Sequence, residues 1–271
     1  MARQKYLNNR DLLKQIHLSK NSYSSYIDDK YADYDIILPS VDRINIRTAA
    51  QAKRNRADRL QKAAYHEAVK NGEKVKMADF AIDWKKIEKT DLVFRVHTFE
   101  HIPEEEGRKK NPKSMADLHK RLYFPPFFHY AYDEDDELKI VGKSHWEGGM
   151  ENGFFNDTHG KMTNELGRMF IKLCERYGGR YNWRGYTYND EMQQQALVQL
   201  SQVGLQFDES KSQNPFAYYT AIITASFTRV LNIEKRGQNI RDDILEINGL
   251  TPSYTRQAQT EKVPDDTSKK K

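Results

Sequence analysis

Apolar positions recur at helical spacing in the C-terminal half of the chain and at strand spacing in its middle. Met162, Leu166, Met169, Phe170, Leu173, Cys174 and Tyr177 fall on one helix face, closed by Gly178 and Gly179. After the loop RYNWRG, Thr187 and Asp190 have the spacing of a capping box. Met192, Ala196, Leu200, Val203 and Phe207 share a face of the helix that follows. Asn214 and Pro215 then stand as cap and first residue of a third helix, predicted to run to about Arg236, with a separate short helix in GQNIRDDILEING. Upstream, DLVFRVHTF, HYAY and LKIVGKSHW read as strands, the last two joined by the acidic turn DEDDE. FPPFF is extended and is excluded from a central strand, because proline offers no donor. EGGMENGFFNDTHG reads as loop. Near the start, NNRDLLKQIHL is a short amphipathic helix with Asn9 as its cap and Leu12, Leu13 and Ile16 on one face; NSYSSYIDDKYADYD reads as extended connection.

Between these lies IRTAAQAKRNRADRLQKAAYHEAVKNG, a helix with Thr48 as predicted cap and Gly72 just past its end. Its apolar stripe is mostly alanine. Arg47, Lys53, Arg54, Arg56, Arg59 and Lys62 make its first half basic, so it is either a solvated surface helix or one lying along a phosphate backbone or an acidic groove. The pattern divides the chain into an N-terminal helix and extended segment (1–42), the basic helix (43–83), a small α+β module (84–160), a helical region (161–250) and a polar tail read as disordered (251–271). The fold class expected is mainly α, with a helical C-terminal half, an N-terminal helical segment and an inserted α+β module.

Composition narrows the function. A hydrophobic content of 38% permits a core, while 31% charged residues predict a heavily charged surface. The net charge of +5 is compatible with nucleic acid without establishing it. Cys174 is the only cysteine, so no internal disulfide framework is expected and a reducing compartment fits. No apolar run is long enough for a membrane span, and the polar start lacks a signal-peptide core. Catalytic patterns fail on inspection. VGKS at Val141–Ser144 has Glu137 where a phosphate loop needs glycine. HTFEH, from His97 to His101, has its glutamate beside the wrong histidine for a zinc site and sits in a strand-like stretch. DEDDE and PEEEG lie in turns, where solvated charge suffices. No enzyme activity, cofactor or metal is expected. What stands out is the third helix. Phe216, Tyr218, Tyr219, Ile222, Ile223 and Phe227 cover more than one face, so it is buried on two sides or offers rings to a partner.

The helical region resembles the core of bacterial sigma factors, the segment that grips polymerase and melts the minus-ten element. Primary sigma factors carry a helix of the flavour D-L-x-Q-E-G-x-x-G-L-x-x-A-x-x-x-F-D, then a basic turn, then F-S-T-Y-A and an aromatic helix. EMQQQALVQLSQVGLQFD, Glu191 to Asp208, fits this without a gap, and FAYYT follows the turn. The chain is similar, more closely, to the late-transcription sigma factors of T-even-type phages, in YLNNRDLL (Tyr6–Leu13), NWRGYT (Asn182–Thr187) and FDESKSQNPFAY (Phe207–Tyr218). NIRDDIL and TPSYTRQ suggest a cyanophage relative. The resemblance covers about a third of the chain and is specific from Tyr186 to Arg236.

It implies a sigma-factor-like helical domain that docks on the largest-subunit coiled coil of host RNA polymerase, in the cytoplasm of an infected bacterium. Glu191, Gln194, Gln195, Gln199 and Gln202 would be the docking face, with the bland alternative that they are solvated. Phe216, Tyr218 and Tyr219 would stack on the opened non-template strand, although helical spacing makes at least one of them core. Thr224, Ser226, Thr228 and Arg229 would meet duplex or fork; Lys211, Arg229, Lys235, Arg236 and Arg241 would neutralise phosphates. Arg180, Trp183 and Arg184 form a further patch, unless Trp183 packs on the helical core. Two departures are visible. Ile222 and Ile223 stand where primary sigma factors have a tryptophan pair, and no helix-turn-helix for a minus-thirty-five element follows. The phage class also uses a co-activator and a sliding clamp, but TEKVPDDTSKKK lacks the apolar anchor for clamp contact. The alternative from another class is a non-enzymatic adaptor that binds a protein partner through the α+β module and the basic helix.

Overall fold

Parallel neighbouring strands need a long crossover, and the chain supplies one early. Strand β2 (Ile36–Leu38) leads through helix α2 (Ile46–Lys70) into β3 (Val93–His97), which pairs with it in parallel. The computed structural model describes residues 7–107, 109–118 and 122–260. The motif residue Tyr6 and residues 261–271 of the tail lie outside them. Strands β4 (Phe127–Tyr132) and β5 (Leu138–Ser144) form the expected hairpin around DEDDE, with Asp133 Oδ1 accepting from Asp135 N and Glu137 N at 3.0 and 2.9 Å. With β1 (Ser24–Tyr26) they complete a five-stranded mixed sheet in the order β1-β5-β4-β3-β2. A small second ribbon joins β6 (Trp146–Glu147) and β7 (Phe154–Phe155).

The fold is therefore mixed α/β rather than mainly α. Strands of the zones read as 1–42 and 84–160 share this one sheet, and the helix of 43–83 packs on it. Strands β1 and β2 are three residues each, too short for a period of two to register; β1 lies in the Tyr- and Ser-rich stretch read as connection and β2 follows directly after it. Phe127 and Phe128 of FPPFF belong to β4, the central strand; the two prolines stop just before it.

The alanine stripe of α2 now has a reason. Ala49, Ala52 and Ala57 pack on Leu38, Phe94 and Val96, where small side chains let the helix lie close to the sheet. Its cap is Asn45, which accepts from Arg47 N and Thr48 N, while Thr48 is the reciprocal member of the capping box. Gly72 has φ of +86° at the predicted end. The side chain of Asp35 is fully buried against this helix. It accepts from Val93 N at 2.9 Å and ion-pairs with Arg59 at 2.8 Å and Arg56 at 3.4 Å. The opposite sheet face buries Arg95 between the rings of Tyr34 and Phe127, at 3.9 and 3.8 Å. Its Nε donates to His129 Nε2 at 2.9 Å, and His129 Nδ1 donates to the Tyr31 carbonyl at 2.7 Å.

Helix α1 (Asn9–Asn21) is capped by Asn8, one residue earlier than predicted, and buries Leu12 and Ile16. The chain leaves α1 at Ser22 and returns beside it. Ser22 Oγ donates to the Lys161 carbonyl at 2.7 Å and accepts from Lys161 N at 3.0 Å. Gly160, at φ +89°, fits there because a Cβ would lie 2.1 Å from the Ser22 carbonyl oxygen. Residues 23–160 thus leave and rejoin the chain at one place.

Helix α3 (Asn164–Gly178) buries the predicted stripe from Leu166 to Tyr177, including Cys174, whose thiol burial pushes up to about 11. Helix α4 (Asn189–Val203) starts beyond the Thr187 cap read from sequence. It ends in a 3-10 turn at Gly204–Gln206, where Phe170 leaves no room for a Cβ on Gly204. Helix α5 (Pro215–Ile247) is continuous where two helices were expected. Gly237 costs a helix interior about 1 kcal/mol, too little to break one of this length. Residues 251–260 of the tail are not disordered: α6 (Tyr254–Thr260) is held at the end of α5 by Ser253 on Asp242 at 2.7 Å and Arg256 on Asp243 at 2.7 Å.

By contacts the chain forms two units, residues up to 171 with 201–219, and 172–200 with 220 onward. No described helix is long and apolar enough to cross a membrane.

Candidate nucleic-acid interface

The predicted ring cluster falls partly in the first unit, at the start of α5. Asn214 caps the helix, its Oδ1 accepting from Ala217 N at 3.2 Å, with Pro215 in the first turn as predicted. The three rings then separate by burial. Tyr219 is 0% exposed, edge-on to Phe170 at 4.8 Å, and its hydroxyl donates to the Gly204 carbonyl at 3.0 Å. Burial raises its pKa far above the usual tyrosine range. Tyr219 is core and is withdrawn as a stacking residue. Tyr218 is half-buried against Phe207 at 5.5 Å and donates to the Val203 carbonyl at 3.1 Å. Phe216, 38% exposed, is the ring that faces solvent. Lys211 is also exposed, near Asp208 at 3.5 Å.

In the second unit, Trp183 is not a surface patch. It is buried and packs edge-on to Phe227 at 5.3 Å, with Tyr177 and Tyr186 each 6.2 Å away. The exposed ring of that loop is Tyr181, 85% accessible, with the Arg184 guanidinium over it at 5.4 Å. Arg180 lies over Tyr177 at 4.4 Å. Tyr181 is not among the candidates that the sequence singled out. The signal available was its place two residues before an apolar ring, flanked by arginines and asparagine.

Farther along α5, Thr228, Arg229 and Arg236 line one groove with Ala225, Asn232 and Ile233, of about 760 Å³. The i, i+3, i+4, i+7 spacing from Ala225 sets these residues on one helix face. Lys235 lies in a smaller groove with Gln238, Asn239 and Arg256. Arg229, Lys235, Arg236 and Arg241 are exposed, with no ion-pair partner among the described residues. Two polar candidates are taken by the fold. Ser226 is buried and donates to the Ile222 carbonyl at 3.0 Å. Thr224 donates to the Thr220 carbonyl and accepts from the Tyr177 hydroxyl, both at 2.7 Å. Ile223 is buried and Ile222 half-buried.

Helix α4 buries Met192, Ala196 and Leu200 completely. Glu191, Gln194, Val198 and Gln202 make its exposed stripe, while Gln195 and Gln199 are half-buried beside it. Among the described residues no group of histidine, cysteine and carboxylate side chains is arranged to hold a metal. No family model, curated protein or solved structure matches the chain.

Proposed function

We propose that the chain is a promoter-specificity subunit: a phage-type sigma factor that binds host RNA polymerase core through α4 and opens a TATA-like minus-ten element through α5. The observation that supports it is how the residues of the sigma-like stretch divide. Met192, Ala196, Leu200 and Tyr219 are inside, whereas Glu191, Gln194, Gln202, Phe216, Arg229 and Arg236 are outside. An exposed polar stripe on α4 suits docking on a coiled coil. An exposed ring at the start of α5 suits an unpaired base, and exposed cations farther along suit phosphates. In this reading the protein is not an enzyme; it lends polymerase its specificity and works in the cytoplasm of the infected host.

The experiment is co-purification with bacterial polymerase core, followed by transcription from a TATA-like late promoter. Phe216→Ala should lower promoter opening roughly tenfold, the scale of one stacked base, and leave core binding intact. Tyr219→Ala should weaken both, because it empties the core. A chain that never associates with polymerase sinks the proposal and returns the adaptor reading.

A further inference from the structure

Two stretches that carry the sigma-like wording, far apart in sequence, touch. Asn9 Oδ1 accepts the Phe216 N–H at 3.1 Å, satisfying one of the donors that the first turn of α5 leaves open. At the other end of α1, Lys20 is 2% exposed; its Nζ donates to the Phe207 carbonyl at 2.7 Å and ion-pairs with Glu209, itself buried. Helix α1 therefore grips the segment 207–216 at both ends, Lys20 where it begins and Asn9 where α5 starts. Within the segment, Gln213 donates to the Glu209 carbonyl at 3.2 Å. Desolvation cancels much of what a buried ion pair gains, so such a pair contributes little net stability, but removing one partner leaves the other charge buried and unpaired.

We propose that Asn9 and Lys20 are positioning residues: α1 sets the direction of the first turn of α5, and so the presentation of the Phe216 ring to unpaired bases. The identity of that ligand rests on the reading above, whereas the positioning is a property of the free protein. Helix α1 is then part of the promoter-reading element, although the whole inserted module separates it from α5 in sequence.

The test uses the full-length chain carrying Asn9→Ala, Asn9→Asp or Lys20→Met. Three quantities are read: amide exchange at 216–219 against 223–230 in the free protein, affinity for polymerase core, and promoter opening. Asn9→Ala touches no buried side chain and should speed first-turn exchange about fivefold, the scale of one net hydrogen bond. Promoter opening should fall by a similar factor with core affinity unchanged. Asn9→Asp keeps the acceptor and should restore both. Lys20→Met should act in the same direction and more strongly. Unchanged first-turn exchange in Asn9→Ala overturns the proposal, as does a parallel fall of core affinity and opening. If the unsubstituted chain binds no polymerase, the promoter reading fails by itself, and the exchange rates still decide whether Asn9 and Lys20 set the first turn.

Discussion

Helices α2 and α5 both look basic, and they use their charge in opposite ways. Helix α2 turns Arg56 and Arg59 onto the buried Asp35 and lays Arg54 over Trp84 at 4.9 Å, so half of its predicted phosphate ladder is occupied. Helix α5 carries Arg229, Lys235, Arg236 and Arg241 in solvent with no ion-pair partner among the described residues. The density of cations along a sequence does not measure the charge available to a partner. What decides is whether a desolvated carboxylate lies across from them, and that is set by strand pairing thirty or more residues away.

Removing that carboxylate is the hardest test of the contrast. Asp35→Ala removes a buried carboxylate from two partly exposed guanidinium groups and leaves the Val93 N–H without its acceptor, and should destabilise the sheet unit by about 2–3 kcal/mol in urea unfolding. A loss below about 1 kcal/mol would mean that α2 is as free as α5.

Acid gives the second. All eight histidines lie in residues 1–171. Burial holds His145 down to about 3 and His101 to about 4, and lowers His17, His97 and His129 as well. The unfolded chain therefore takes up protons that the folded unit refuses. Stability from these groups is constant above about pH 6.5 and falls as pH drops toward 4, by roughly 1.4 kcal/mol per pH unit for each histidine titrating. Unfolding followed by NMR should show this slope in the sheet unit and none from histidine in residues 172–200 and 220 onward. Equal slopes would erase the distinction.

The third is the smallest. If α5 meets DNA as proposed, Arg229→Ala with Arg236→Ala should flatten the log–log salt dependence of that binding by about 0.7–0.9 per residue removed. Arg56→Ala should leave that slope unchanged while lowering the melting temperature. The reverse result would exchange the roles of the two helices.

Where a long apolar period existed, the sequence was legible. The α3 stripe from Leu166 to Tyr177 and the Asn214-Pro215 start of α5 stand where the pattern predicts them. Elements made by partners were not legible. Strands β1 and β2 exist because β5 and β3 offer them edges, and α6 exists because Asp242 and Asp243 hold Ser253 and Arg256. The candidate site was half readable. Spacing showed that the rings of α5 could not share one face, but only packing against Phe170 puts Tyr219 inside and leaves Phe216 out. Trp183 is inside and Tyr181 outside for the same reason: burial selects the larger apolar ring.

The meeting of Ser22 with Lys161 over Gly160 has a consequence in polymer terms. An unstructured connection as long as residues 23–160 would let α1 wander, and each doubling of its length would cost about 0.6 kcal/mol in closure entropy. A folded module whose two ends meet behaves instead as a tight turn. It keeps α1 at high effective concentration beside the chain that it must grip, whatever the module's size. Strands or loops can then be added to the module's far side without lengthening the tether between Asn9 and Phe216.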